Sequence, residues 1–152
     1  MTSAEITSLP KTVLFLCTGN YYRSRFAELF FNALAEGRSS AWRASSRGLR
    51  LNPGNPGPIS QHAVDWLQQH GIPLPDIHRS PLPLSANDLE EAHVVVAVKE
   101  MEHRPLLEQL FPVWASKVRF WHIHDLDAAP AEEALAELAA QVEDLVNRLD
   151  SR

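Results

Sequence analysis

The 152-residue sequence predicts an α/β fold on a parallel sheet of about four strands, and three observations carry that prediction. Strand-like apolar runs alternate with helical patterns along the chain, which brings parallel strands together through right-handed crossovers. The run Val94-Val95-Val96-Ala97-Val98 is apolar without alternation, as in a strand covered on both faces. Between Thr12 and Leu34 a strand, a tight loop and a helix follow one another directly.

Each element has its own signal. Thr12 to Leu16 is rich in strand formers and ends at Cys17 and a Gly-Asn pair. Phe26, Leu29, Phe30, Ala33 and Leu34 then recur at helical spacing, with Gly37 closing the helix. Trp42 to Ser45 reads as a short second strand. Asn52 to Pro58 holds too much Pro, Gly and Asn for regular structure and is a loop. Gln61 to His70 is a helix capped by Gly71, and a proline-rich connection runs from Ile72 to Pro83. Ser85 caps a short helix before the Val94 strand. Met101 to Phe111 is helical and Val118 to Ile123 is a strand. Pro130 suits the first turn of a last helix, whose Leu135, Leu138, Val142, Leu145 and Leu149 form one apolar stripe. No repeat or linker interrupts this order, so a single domain is expected over residues 1–152, with 1–10 a loose N-terminal extension.

Composition narrows the function classes. With 45% hydrophobic and 22% charged residues the chain has the profile of a globular domain. Its one cysteine permits neither an internal disulfide nor a multi-cysteine zinc site and suits a reducing, cytoplasmic compartment. No apolar run approaches the roughly 20 residues of a membrane helix, and the first residues lack a secretory pattern. The net charge of −5 is asymmetric: residues 1–60 carry seven Lys/Arg against three Asp/Glu, a net of +4, leaving −9 for the rest. An overall acidic chain argues against nucleic acid, so the basic end is expected to face a small or local anion such as phosphate.

The segment from Cys17 to Ser24 fits that anion. Five residues between Cys17 and Arg23 let the backbone curl around a tetrahedral dianion with its N–H groups inward, at a helix N-terminus. Thr18, Gly19, Asn20, Tyr21, Tyr22, Arg23 and Ser24 are therefore the candidate phosphate-binding residues. Gly19 and Asn20 tolerate the positive φ angles such a curl requires. Arg23 can hold two oxygens through its planar fork. The same field favours a Cys17 thiolate as nucleophile, and Ser24 can donate to it. The bland alternative is a buried core cysteine. Cys17 closes the first strand and Asp125 follows the last, which puts both at the carboxyl edge of the sheet, where such folds bind ligands.

With Cys17, five residues, Arg23 and Ser24 directly after the first strand, the sequence resembles the low-molecular-weight protein tyrosine phosphatases from about Lys11 to Leu149. Phe26-Ala27-Glu28, Asp76-Ile77-His78-Arg79-Ser80 and Met101-Glu102-His103 are similar to later family segments. The resemblance implies a three-layer fold with a four-stranded parallel sheet flanked by helices, no cofactor or metal, and phosphomonoester hydrolysis through a cysteinyl-phosphate. Its partners would be phosphorylated proteins or small phosphomonoesters, with inorganic phosphate as product and neither nucleic acid nor membrane involved. It also implies an aspartate general acid near the C-terminus. Of Asp125 and Asp127, Asp125 is chosen because Ile123 supplies the apolar residue two positions earlier, although Leu126 stands where the family has proline.

Other departures bear on substrate. Arg25 stands where the family has proline, and Tyr22 where many members have a second cysteine. Tyr21 matches neither the aliphatic residue of tyrosine-acting members nor the threonine of phosphoarginine-acting ones. Tyr21 and Tyr22 either supply aromatic surface to a substrate or simply pack. Arg38, Arg43, Arg47 and Arg50 either steer anions or form a solvated edge. The expectation is a protein-tyrosine phosphatase. The alternatives are a phosphatase for phosphoarginine or small-molecule phosphates, a non-catalytic phosphate-binding module, and, third, a metal-dependent hydrolase using His122, His124 and Asp125.

Overall fold

The computed structural model describes residues 10–74, 78–123 and 131–151. In β1, Lys11–Cys17, side chains alternate between two faces and both are buried: Val13, Phe15 and Cys17 join one apolar cluster, Leu14 and Leu16 another. β3, Val94–Ala97, behaves in the same way, which is why its sequence shows no polar alternation. With β2 over Trp42–Gly48 and β4 over Arg119–Phe120, the sheet order is β2-β1-β3-β4 and every pairing is parallel.

Helix α1, Arg23–Gly37, leaves β1 through the Cys17–Arg23 loop. It packs with α2, Gln61–Gln69, and α5, Ala131–Asp150, over the Phe15 face of the sheet. The stripe Leu135, Leu138, Val142, Leu145 and Leu149 is buried there. On the other face Leu89 of α3, Ala86–Glu91, and Leu107 of α4, Glu100–Leu110, cover Leu14, Leu16, Val95 and Ala97. The result is the three-layer arrangement expected. Each fully buried Leu or Phe in these layers contributes about 1.5–3 kcal/mol relative to exposure. Ser85 caps α3 in a reciprocal capping box with Asp88.

Two expectations change. The second strand, β2, runs over Trp42–Gly48 and pairs with β1 along its whole length, from Lys11↔Trp42 to Cys17↔Gly48. Its weak apolar signal reflects an edge position. The strand expected over Val118 to Ile123 is regular only at Arg119–Phe120, which is β4. Beyond Ala97 its partner turns away into α4, so Trp121 and Ile123 instead hydrogen-bond to Ala97 and Val98 as extended loop. Gly37 is the last residue of α1, as expected, and the left-handed residue beyond that helix is Ser39, with φ 52°. Gly71 does end α2 with φ +70°. Among the described residues, no helix is long and apolar enough to cross a membrane.

Candidate functional site

The Cys17–Arg23 loop is shaped by where its carbonyls go. Cys17 O accepts from Leu49 N at 3.0 Å, Thr18 O from Arg50 N at 2.8 Å and Tyr21 O from Ser60 N at 2.9 Å. With no cis peptides, each following N–H points opposite its carbonyl, away from those partners. None of the N–H groups of residues 18–22 donates to a protein acceptor among the described residues. Several N–H groups in one loop without acceptors, at the start of α1, form a concavity suited to an anion. The second strand must come very close for this. A Cβ at Gly48 would sit 2.9 Å from Thr18 O and 3.0 Å from Asn20 N, so only glycine fits.

Asn20 is the loop's pivot. It has φ 50° and is fully buried, a conformation that asparagine tolerates and Gly19 does not adopt here. Its side chain is used completely: Nδ2 donates to Ser24 Oγ at 3.0 Å and Ser46 Oγ at 2.8 Å, and Oδ1 accepts from Arg79 Nη1 at 3.1 Å and Leu82 N at 3.0 Å. Cys17 Sγ lies 2.8 Å from Ser24 Oγ. Cys17 is 3% exposed and part of the larger apolar cluster, as the core-cysteine alternative also expects, and its thiol faces the Ser24 hydroxyl.

Arg23 is aimed by an element far away in sequence. Its Nη2 donates to Glu102 Oε2 at 2.8 Å, an oxygen that also accepts from Thr18 Oγ1 at 2.5 Å and lies 2.9 Å from His103 Nε2. His103 is buried and its Nδ1 accepts from Lys99 N at 3.0 Å, which assigns the neutral ring's proton to Nε2, toward Glu102. His103, then Thr18 and Arg23, hold the Glu102 carboxyl well below the usual carboxylate range against its partial burial. Glu102 is therefore an anion throughout the neutral range and keeps Arg23 beside the loop. The sequence offered Glu102 only as part of a family-like segment, with no signal for this contact.

The aromatic pair divides. Tyr21 donates its hydroxyl to Pro56 O at 2.5 Å and borders a cavity of about 330 Å³ with Pro58, Ile59, Val64 and His78. Tyr22 packs against the larger core, and burial pushes its phenol up to about 12. Its hydroxyl has no partner among the described residues. Tyr22→Phe is thus expected to be neutral or stabilising by up to about 1 kcal/mol, since it removes a desolvated hydroxyl that forms no bond. A lowered thermal midpoint would show that the hydroxyl has a partner after all.

Arg25 is 1% exposed and donates to both Glu28 oxygens at 3.2 Å. Of the four arginines considered for steering, Arg47 pairs with Asp88, Arg43 bonds the Ser40 and Trp42 carbonyls and Arg38 bonds Asn147. Arg50 is exposed. Asp125, Asp127 and His124 lie outside the described residues. Among the described residues no three His, Cys, Asp or Glu side chains group as a metal site requires.

Comparison with known proteins agrees with this geometry. The family model described as low molecular weight phosphotyrosine protein phosphatase matches residues 12–149. A protein-arginine-phosphatase of Bacillus subtilis (strain 168) is 30% identical over 106 residues, 70% of this chain and 67% of the relative. A low molecular weight protein tyrosine phosphatase from T. tengcongensis superposes with a TM-score of 0.72 at 30% identity, covering 91% of this chain and 97% of the other. An arginine phosphatase from Geobacillus stearothermophilus gives 0.73 at 26% identity, covering 93% and 94%.

Proposed function

Since the chain belongs to the low molecular weight phosphotyrosine protein phosphatase family, whose members are cysteine-dependent phosphatases, we propose that it hydrolyses phosphotyrosine in protein substrates with Cys17 as nucleophile. The observation that carries this reading is the run of N–H groups without protein acceptors at residues 18–22, in a loop that begins at Cys17, whose Sγ lies 2.8 Å from Ser24 Oγ. The Cys17 thiolate attacks phosphorus in line, forming the S–P bond as the P–O bond to the leaving group breaks. Arg23 and the loop N–H groups hold the equatorial oxygens as charge shifts onto them. Asp125 gives its proton to the leaving oxygen and then takes one from the water that attacks the phosphoenzyme. The S–P bond breaks, the thiolate departs toward Ser24 and inorganic phosphate is released. A reducing, cytoplasmic setting suits a nucleophile with no second cysteine to protect it.

A second reading, phosphoarginine as substrate, is favoured by the 30% identity to a protein-arginine-phosphatase. Against it stands Tyr21 of the loop, which borders a cavity with Pro56, Pro58 and Ile59, ring and proline surface suited to a phenyl group. The deciding experiment compares kcat/KM on one peptide carrying phosphotyrosine or phosphoarginine at the same position. At least about tenfold preference for phosphotyrosine, or about 1.4 kcal/mol, is expected; the reverse preference overturns the proposal.

The role of Asp125 has its own test. Asp125→Asn is expected to lower turnover by about 10²-fold or more for alkyl phosphates and phosphotyrosine, and less for p-nitrophenyl phosphate, whose leaving group departs without a proton. Asp127→Asn is the mild control. Exchange of the two effects would move the acid to Asp127. Phosphate binding without any leaving-group dependence would favour a binding module.

A further inference from the structure

An arginine beside the phosphate loop is left unused by the mechanism above. Of the four weighed for steering, Arg38, Arg43 and Arg47 bond within the protein, whereas the Arg50 guanidinium has no partner among the described residues. Arg119, the other described arginine in that condition, lies in β4, at the far end of the sheet order from β2. Arg50 is placed by its backbone. Its N–H donates to Thr18 O at 2.8 Å, and Leu49 before it is buried in the smaller apolar cluster. The exposed side chain therefore starts next to the loop that receives the phosphoryl group.

Directly after Arg50 the chain turns around a cavity of about 230 Å³ lined by Leu51, Asn52, Pro53, Asn55, Gly57 and Pro81. Two contacts join it to the phosphate loop. A Cβ on Gly48, the residue pressed against Thr18 O, would lie 2.7 Å from Leu51 Cδ2, and a Cβ on Gly19 would lie 3.5 Å from Asn55 Nδ2. The wall is folded on its own bonds. Asn55 N donates to Asn52 O at 3.2 Å, Gly54 N to Asn52 Oδ1 at 2.9 Å, and the Tyr21 hydroxyl holds Pro56 O. The Asn55 amide has no partner among the described residues. Sites for drug-sized ligands measure about 300–1,000 Å³, so this smaller space suits a single side chain.

We propose that Arg50 and this cavity form a subsite for the stretch of a phosphoprotein that flanks the phosphorylated residue, with a substrate carboxylate at Arg50 and a neighbouring apolar side chain beside Leu51 and Pro81. The inference rests on the reading of the chain as a protein phosphatase with Cys17 as nucleophile. Charge selects the occupant. Residues 61–152 carry a net −9 and the first 60 a net +4, so an acidic segment is turned away by most of the chain and drawn to the end that holds Arg50. Continuity with the phosphate loop makes the occupant part of the substrate rather than a separate ligand. The Asn55 amide offers a donor and an acceptor to the backbone of such a segment. A wall already folded adds little ordering cost when the segment binds.

The test uses phosphotyrosine peptides of one sequence in which a single Glu, or Gln in its place, is moved through each flanking position. The readout is the ratio of kcat/KM for the Glu and Gln peptides within each protein, so a general loss of turnover in a variant cancels. The unaltered protein is expected to favour Glu by about three- to fivefold at one or two positions, the scale of an exposed ion pair. That ratio should fall toward one at about 0.5 M salt, where screening acts within a few ångströms. Arg50→Gln should bring it to one at low salt as well, and Arg50→Glu should invert it. Beside the favoured Glu, Leu should be preferred to Ala by about tenfold, and by less than about threefold in Leu51→Ala. A Glu/Gln ratio near one at every position, a ratio that Arg50→Gln leaves unmoved, or a Leu/Ala preference that Leu51→Ala leaves unmoved overturns the proposal. Turnover of phosphoarginine peptides alone would instead overturn the phosphotyrosine reading, and the same ratios are then measured on that series.

Discussion

Cys17→Ser is expected to lower kcat on p-nitrophenyl phosphate by about four orders of magnitude or more, the scale on which a dedicated nucleophile matters, while inorganic phosphate still binds within about threefold. The serine hydroxyl is a far weaker nucleophile than a thiolate, and nothing beside it is placed as a base. Ser24 Oγ, 2.8 Å away, is itself a hydroxyl that accepts from Asn20 Nδ2. The binding elements, by contrast, are backbone N–H groups and Arg23, which the substitution leaves in place. Steady-state kinetics and calorimetry with phosphate separate the two. Activity that survives the change would end the assignment of Cys17, and activity lost to a chelator in the unaltered protein would point to a metal-dependent hydrolase.

Arg23→Lys should cost about 10²- to 10³-fold in kcat, or roughly 3–4 kcal/mol of transition-state stabilisation, the loss measured when one preorganised donor to a developing anion is removed. The charge is kept, so any deficit reports geometry. A guanidinium can serve Glu102 with Nη2 and still present other N–H donors to a phosphoryl group. An ammonium is a single point, and Glu102, held as an anion by His103 and Thr18, competes for it. The affinity for vanadate or phosphate should fall as well, which calorimetry can measure. Kinetics close to those of the unaltered protein would mean that Arg23 serves Glu102 rather than the substrate.

The local signals were the strongest. A buried strand feeding a helix through a loop of five residues can be read directly from Val13 to Leu34, because every contact that defines it is short-range. The family resemblance rested on the same residues, and the match over 12–149 agrees with it. Val118 to Ile123 is the opposite case, set by a long-range partner. Its composition favours a strand throughout, yet it is regular only over Arg119–Phe120, because β3 has ended beside it.

By itself the sequence determined the α/β class, the order of the elements and the Cys17–Ser24 loop, since hydrophobic period and turn chemistry act within a few residues along the chain. The tertiary structure alone decided which charges support that loop. It brought Glu102 to Arg23 across 79 positions and Arg79 to Asn20 across 59. It also turned Arg25, a departure from the family pattern, into a buried partner of Glu28. No periodicity encodes such pairs. A buried charge is tolerated only where the fold delivers an opposite charge within hydrogen-bonding distance, and that delivery depends on how strands 30 to 80 residues apart are laid side by side.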